Sequence, residues 1–416
     1  MSTMGELGVL ESLCAALAKV GITSASPVQR LAIPAFLAGK AGIAVAQTGS
    51  GKTYAYAIPL VQRLRAFEAD EGTVVAAGKP RGLVLTSTRE LVTQTTKAIK
   101  VLTHAARLRV RSISGGEAVR DTHSTTRDVF DVLVANPVRI AKLVQEQRLS
   151  LDDVRIIVVD EGDTLLAPGE RGPVEAVLAC APHATVWWVS ATLPEPIRSY
   201  LARRADKPIV LWSKDAHSAP ASVTVRNIPI RATDRADAAS NVLISLGKTA
   251  RGIVFCNRRE TADAAGLALQ ERGHDVAVAH GGHLPRERQA TLKRFVGGEG
   301  RVLVTTELAG RGLDVKDLAF VLNWELPERA SDYVHRIGRV GRMGKEGRVF
   351  NLVTDKDRHL LGEVERLAAG GKLDTGEALR TAHKRKTTTA QGVREATGRK
   401  HKAAAKGEPG VRSFKR

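Results

Sequence analysis

The chain has 416 residues, room for two domains plus tails, and its 43% hydrophobic share supports packed cores. It carries 63 basic against 44 acidic residues, a net charge of +19, which points to a polyanionic partner and first to nucleic acid. Three isolated cysteines, Cys14, Cys180 and Cys256, form no C-x-x-C pair; they argue against a disulfide scaffold or a zinc site, and read as buried small side chains in a reducing compartment.

Taken in chain order, the first 22 residues hold Glu6, Glu11 and a single Lys. They resemble neither a secretory signal nor an Arg-rich transit peptide, and no run of 18 apolar residues is present, so a cytoplasmic protein without a membrane span is expected. Gly42-Ile43-Ala44-Val45-Ala46 reads as a buried parallel strand and Tyr54 to Phe67 as a helix. Between them lies Ala46-Gln47-Thr48-Gly49-Ser50-Gly51-Lys52-Thr53. This is G-x-x-x-x-G-K-[ST] with Ala46 in the first glycine slot. Such a loop closes backbone N–H groups around phosphate oxygens, Lys52 adds a point charge, and Thr53 can hold Mg²⁺.

Further strands are expected at Gly82–Thr86, Val110–Ser114, Val129–Ala135, Ile156–Asp160 and Thr185–Ser190. The second half repeats the style at Gly252–Cys256, Val276–His280, Arg301–Thr305, Leu318–Trp324 and Gly347–Val353. Strands alternating with helical stretches predict parallel sheets with crossover helices and ligands at the strands' carboxyl ends. The polar, pattern-free run near Trp212–Pro220 marks a boundary. The expected domains are 1–212 and 221–370, with a linker at 213–220 and a tail at 371–416. From Thr381 to Arg416 the tail holds eleven Lys/Arg and two Glu and almost no large apolar residue. It is expected to be disordered and to act as a non-specific RNA-binding arm, favoured by counterion release, rather than only a solubilising tail.

Only the first domain has a phosphate loop, so ATP is expected in the cleft between the two, with the second domain completing the site. Asp160-Glu161 ends an apolar strand. The first carboxylate can hold Mg²⁺ beside the phosphates, and the second can orient or deprotonate the attacking water. In the second half, His335-Arg336-Ile337-Gly338-Arg339-Val340-Gly341-Arg342 is expected to present Arg339 and Arg342 at i, i+3 on one helical face. Across a cleft they can neutralise charge on a γ-phosphate as arginine fingers do. His280 and His283 read as a strand-end turn, since no further Cys or His completes a metal site.

With these motifs in place the chain resembles the DEAD-box RNA helicases over about residues 8–355. Asp160-Glu161-Gly162-Asp163 is similar to the family's tetrad. Gly21-Ile22 with Pro27-Val28-Gln29 resembles its adenine-reading segment, Ser87-Thr88-Arg89-Glu90-Leu91 its P-T-R-E-L element, and Asn136-Pro137-Val138-Arg139 its T-P-G-R. Gly115-Gly116 and Ser190-Ala191-Thr192 match its paired glycines and S-A-T. The resemblance implies two tandem RecA-like parallel-sheet domains that bind ATP and RNA across their cleft. It implies that Gln29 pairs with the adenine edge, and that Gly312 and Asp314 contact the nucleotide, Asp314 at the ribose. It places Thr88, Arg89, Gly115, Gly116, Pro137, Arg139, Gly281, Arg288 and Thr306 against the RNA backbone. Asp163, Ser190, Thr192, Glu307, Arg311, His335 and Arg336 would couple the sites to domain closure.

The departures are specific. Gly162 replaces Ala in the tetrad, Ile22 replaces an aromatic, Glu307 replaces Asp, and Pro285 replaces Gln. None removes Lys52, the Mg²⁺ carboxylate, Glu161 or the two fingers, so an active RNA-dependent ATPase is expected, with adenine stacking weakened. Three alternatives stay open: a slow ATP-gated RNA clamp, a DNA helicase of the same superfamily, and a scaffold acting through its basic tail.

Overall fold

The computed structural model describes residues 3–71, 75–113, 128–167, 169–204, 207–213, 222–307, 315, 318–341 and 345–362. Gly115, Gly116, Arg311, Gly312, Asp314, Arg342, most of the linker and the whole tail at 371–416 lie outside them.

The central apolar runs become strands because they are rich in aliphatic, often β-branched, residues and are buried on both faces. The first sheet contains β1 (Gly42–Val45), β2 (Gly82–Leu85), β3 (Val110–Ile113), β4 (Val132–Ala135), β5 (Ile156–Val159), β6 (Thr185–Ser190) and β7 (Ile209–Trp212). Their order is β3-β4-β2-β5-β6-β1-β7, and every pairing is parallel. Gly42 is in register with Trp187 on one side and Ile209 on the other.

Helices cover both faces. On one lie α1 (Glu11–Lys19), α2 (Pro27–Leu37), α3 (Lys52–Glu71) and α4 (Arg89–Ala106). They bury Leu13, Leu17, Phe36, Ile58 and Ile99 against the sheet, and Phe36 stacks on Trp187 with ring centroids 4.6 Å apart. On the other lie α5 (Pro137–Gln145), the short α6 (Gly162–Leu165), α7 (Gly172–Ala179) and α8 (Glu195–Ala202), which bury Ile140, Leu143, Val174 and Ile197.

The second sheet contains β8 (Val223–Pro229), β9 (Gly252–Cys256), β10 (Val276–Ala279), β11 (Val302–Thr306), β12 (Phe320–Asn323) and β13 (Gly347–Val353). It runs β10-β11-β9-β12-β13-β8, again parallel throughout. Around it pack α9 (Arg235–Ser245), α10 (Arg259–Glu271), α11 (Pro285–Val296) and α12 (Ala330–Ile337). All described residues fall in one compact unit, Met1–Leu373. No helix among them is long and apolar enough to cross a membrane.

Three expectations need correction. β7 and β8 are additional strands; both lie at sheet edges and are largely exposed, so they lack the continuous buried run that marks the others. Cys180 is exposed and Cys14 only partly buried, leaving Cys256 as the buried thiol. The helix of the second-domain arginine stretch ends at Ile337, with Gly338 as its cap and Gly341 at φ 72. Two glycines in four residues favour a stop over another turn. Arg339 therefore lies in the turn after the helix, not on its face.

Candidate functional site

The carboxyl ends of the strands bring the motifs together. The phosphate loop follows β1, Ser87 and Thr88 follow β2, Asn136 follows β4, Asp160 follows β5 and Ala191-Thr192 follow β6. In the second sheet Asn257, His280, Glu307 and Glu325 occupy corresponding positions.

In the phosphate loop Gly49 and Gly51 take φ of 78 and 89, values that a side chain disfavours. Ser50 Oγ donates to the Gln47 carbonyl at 2.7 Å, tightening the turn. Lys52 Nζ donates to the Ala46 and Gln47 carbonyls, each at 2.7 Å, so the loop is folded round its own ammonium. Burial lowers that ammonium to about 8, opposed mainly by Asp160; the Arg339 guanidinium pushes in the same downward direction as burial. The second sheet's arginine thus acts electrostatically on the first sheet's lysine.

Gln29 closes the loop from the side. Ser26 and Gln29 form a capping box at the start of α2: Ser26 N donates to Gln29 Oε1 at 2.9 Å, and Gln29 N donates to Ser26 Oγ. Gln29 Nε2 donates to the Gly51 carbonyl at 3.0 Å. The side chain thus uses one of its two amide N–H groups and one oxygen lone pair in these bonds.

The carboxylates are buried and held. Asp160 Oδ2 accepts from Tyr56 Oη at 2.8 Å, and Oδ1 accepts from Glu161 N at 2.9 Å. Burial, then the Glu161 charge, raise the Asp160 carboxyl to about 6. Glu161 sits at φ 54, a left-handed conformation that turns the chain sharply after β5, and its Oε2 accepts from Ser87 Oγ. The oxygen donors of Thr53 and Asp160 suit a hard cation. Each Asp160 oxygen already accepts one bond, which fixes its direction and leaves it free to hold a hydrated ion.

Asp163 joins the two sheets. Its N–H donates to Ser190 Oγ at 3.0 Å, and its Oδ2 accepts from Thr192 N at 3.0 Å and Thr192 Oγ1 at 2.8 Å. The same Oδ2 lies 3.3 Å from His335 Nε2 on α12. Arg339 is buried, and its Nε donates to the His335 carbonyl at 3.2 Å.

Arg336 is 1% exposed. Its guanidinium donates to Glu307 Oε2 at 2.8 Å, Asn323 Oδ1 at 3.1 Å, the Glu325 carbonyl at 2.8 Å and Asn257 Oδ1 at 2.8 Å. Asn323, Asn351, Asn227 and Tyr333 extend this network through β12, β13 and β8. A buried guanidinium survives only when its donors are met, so these partners hold α12 in place.

Some of the expected RNA-side segments are linked by side-chain bonds. Thr88 caps α4 by accepting from Leu91 N at 3.2 Å. Asn136 caps α5 by accepting from Val138 N and donates to the Ser87 carbonyl at 3.0 Å, which ties the start of α5 to the segment before Thr88. Arg288 on α11 lies 3.6 Å from Glu90 on α4, an ion pair between the sheets. Thr306 ends β11, and Gly281 follows His280. Sequence reasoning did not single out Tyr56, Ser87, Glu90 or the asparagine network as site residues. Tyr56 lies one helical turn beyond Lys52, but its partner is 104 residues away, and no local pattern reports that.

The chain matches the DEAD/DEAH box helicase family over residues 26–200 and the helicase conserved C-terminal domain over residues 234–344. It is 34% identical over 368 residues to the RNA helicase CrhR of Synechocystis, spanning 88% of this chain and 72% of that protein. It is 32% identical over 353 residues to the DEAD-box ATP-dependent RNA helicase RhpA of Helicobacter pylori, spanning 85% and 70%. In fold it is similar to S. cerevisiae Dbp5 bound to RNA and ADP BeF3, with TM-score 0.78 at 23% identity over 89% of this chain and 95% of that one. Mss116p bound to ssRNA and AMP-PNP gives TM-score 0.76 at 23% identity over 88% and 77%. The two parallel sheets are RecA-like domains in tandem, and the chain belongs to the DEAD-box family of ATP-dependent RNA helicases.

Proposed function

We propose that this chain hydrolyses ATP in response to RNA and uses the cycle to open or remodel short RNA duplexes and RNA–protein complexes in the cytoplasm. The observation that carries the reading is the Asp163 carboxylate, bonded to Thr192 in the first domain and facing His335 in the second. Coupling residues of both domains meet at one buried group, three residues after Asp160 in the chain.

In this reading Asp160-Glu161-Gly162-Asp163 is a D-E-G-D form of the family tetrad. Gln47 to Thr53 cradle the phosphates, and Lys52 exchanges its two carbonyl partners for phosphate oxygens. Gln29 reads the adenine, joined by Gly312 and Asp314. Thr53 and Asp160 would hold Mg²⁺, the Asp through water; when bound, the ion neutralises phosphate charge. Glu161, oriented by Ser87, positions the attacking water, and Arg339 and Arg342 bring positive charge to the γ-phosphate. Glu307, Arg311 and Arg336 hold the arginine segment in place.

RNA would lie along Thr88, Arg89, Gly115, Gly116, Pro137 and Arg139 in the first domain, and Gly281, Arg288 and Thr306 in the second. These are backbone-type contacts, which read A-form shape and 2′-hydroxyls rather than sequence. The tail at 381–416 adds non-specific affinity through its charge.

The test is ATP turnover with and without RNA for the wild type and Glu161→Gln. Stimulation by RNA in the wild type alone supports the reading, and equal unstimulated rates in both overturn it. Single-stranded DNA as competitor separates RNA from DNA action.

A further inference from the structure

Asp263 on α10, His280 at the end of β10 and His283 in the turn that follows converge on one point. They form the one group of three among the described residues whose ligand atoms all lie within 4.8 Å of one another. Asp263 Oδ1 is 2.8 Å from His280 Nε2 and 3.5 Å from His283 Nε2. The two imidazole rings are 4.0 Å apart at their centroids. Two ring nitrogens therefore share one carboxylate oxygen. A tetrahedral zinc-class ion at its usual distances from His and Asp spaces its ligands by roughly 3.3 Å. The two separations bracket that value. The sequence reading dismissed His280 and His283 because no further Cys or His completes a set. The missing ligand is a carboxylate 17 residues upstream of His280.

The surroundings select the kind of ion. Arg259 lies beside Gly281 and Gly282, so the local field does not by itself gather cations. Mg²⁺ and Ca²⁺ need more oxygen ligands than one carboxylate offers. Two imidazoles and a carboxylate suit a borderline transition cation instead. Asp263 supplies the negative charge, its Oδ1 facing both ring nitrogens.

We propose that Asp263, His280 and His283 form a binding site for a zinc-class divalent cation, with water completing the coordination. Occupancy changes the neighbouring turn. Gly282 N–H donates to His280 Nδ1 at 3.1 Å. A neutral imidazole has one acceptor nitrogen, so Nε2 carries the proton and donates to Asp263. A cation on Nε2 takes that position, the proton moves to Nδ1, and the Gly282 amide has to turn away. The Gly281-Gly282 turn precedes α11, which carries Arg288. Resting on the RNA reading of those two residues, the cation lowers RNA affinity by displacing the turn.

The experiment uses the untagged full-length chain, stripped of metal and free of nucleotide. Co²⁺ is titrated by its visible absorption and then displaced with Zn²⁺. One equivalent of tetrahedral Co²⁺ is expected, displaced by Zn²⁺. Outer-shell changes alone weaken metal affinity by about 10–100-fold, so Asp263→Asn and His283→Leu should each weaken Co²⁺ binding at least as much. Equal Co²⁺ binding by wild type and both variants, or no tetrahedral absorption at all, overturns the site. In a second arm, Zn²⁺ should weaken RNA binding by the wild type and leave His283→Leu unaffected. Unchanged RNA affinity with the cation bound overturns the coupling. Mg²⁺-supported ATP turnover, measured without Zn²⁺, should be the same in His283→Leu and wild type. Its absence in both would sink the helicase reading while leaving the metal result standing.

Discussion

His335 Nε2 lies 3.3 Å from Asp163 Oδ2, and both side chains are buried. That oxygen also accepts two bonds from Thr192, so one carboxylate is read by both domains at once. A hydrogen bond to a charged group contributes about 1.5–3 kcal/mol, worth roughly a 10–100-fold shift toward the closed arrangement. His335→Ala should lower RNA-stimulated ATP turnover by about that factor, while nucleotide binding to the first domain is kept. His335→Gln, which retains a donor, should recover part of it. Steady-state ATPase with a fluorescent-nucleotide titration checks this; equal loss in both assays would mean that the pair does not act through closure.

Gly338 is pressed against the phosphate loop. A Cβ built there would lie 1.4 Å from Thr48 Oγ1 and 2.7 Å from Thr48 Cβ. Rotating the Thr48 side chain relieves the first contact but not the second. Gly338→Ala should therefore hold the domains apart and remove RNA-stimulated hydrolysis, with the melting temperature little changed. Thr48→Gly in the same chain should restore some activity. Full activity of Gly338→Ala alone would show that the two segments do not meet during turnover.

Much of this was legible from local chemistry. Thr185–Ser190, Gly252–Cys256 and Gly347–Val353 are strands over the expected residues, because buried parallel strands are dominated by apolar side chains. The exposed edges β7 and β8 lack that constraint and went unseen. The glycine loop, Asp160-Glu161 and the 335–339 segment were readable because phosphate chemistry demands those residue types in order. The partners that hold them were not: Tyr56 on Asp160, Ser87 on Glu161 and Asn257 on Arg336 are contacts across the chain with no spacing rule. The helical face drawn for Arg339 failed for a local reason, the glycine at 338.

Gly162, the third residue of the proposed Asp160–Asp163 tetrad, is not required by space. A Cβ there would meet the Val189 carbonyl at 3.5 Å and Ser190 Cβ at 3.8 Å, both ordinary contacts. The residue opens α6, where glycine only adds freedom to the unfolded chain. Gly162→Ala should stabilise the fold by about 0.4–1 kcal/mol and leave ATP turnover at least at the wild-type rate. Denaturant titration and the ATPase assay together decide it. A destabilised or inactive variant would show that Gly162 is needed for a motion between Glu161 and Asp163.

The pH profile follows from two buried charges. Asp160 is raised to about 6 by burial, and Lys52 is lowered to about 8 by the same cause. For Asp160 the folded value lies above the unfolded one, so its contribution to stability is present at acid pH and lost as pH rises through about 6. For Lys52 the folded value lies below the unfolded one, so stability rises with pH above about 8. The fold thus holds both charges at neutral pH against its own stability, as a site built to meet phosphates and a cation would. In the proposed mechanism turnover needs Asp160 ionised and Lys52 charged. The kcat/KM for ATP should therefore be bell-shaped with limbs near 6 and 8, and kcat should be flatter, because bound phosphates and Mg²⁺ favour both charged forms. Tyr56 donates to Asp160 and lowers its pKa, so Tyr56→Phe should move the acid limb upward by about one pH unit. An acid limb that stays fixed in Tyr56→Phe would assign it to a group other than Asp160.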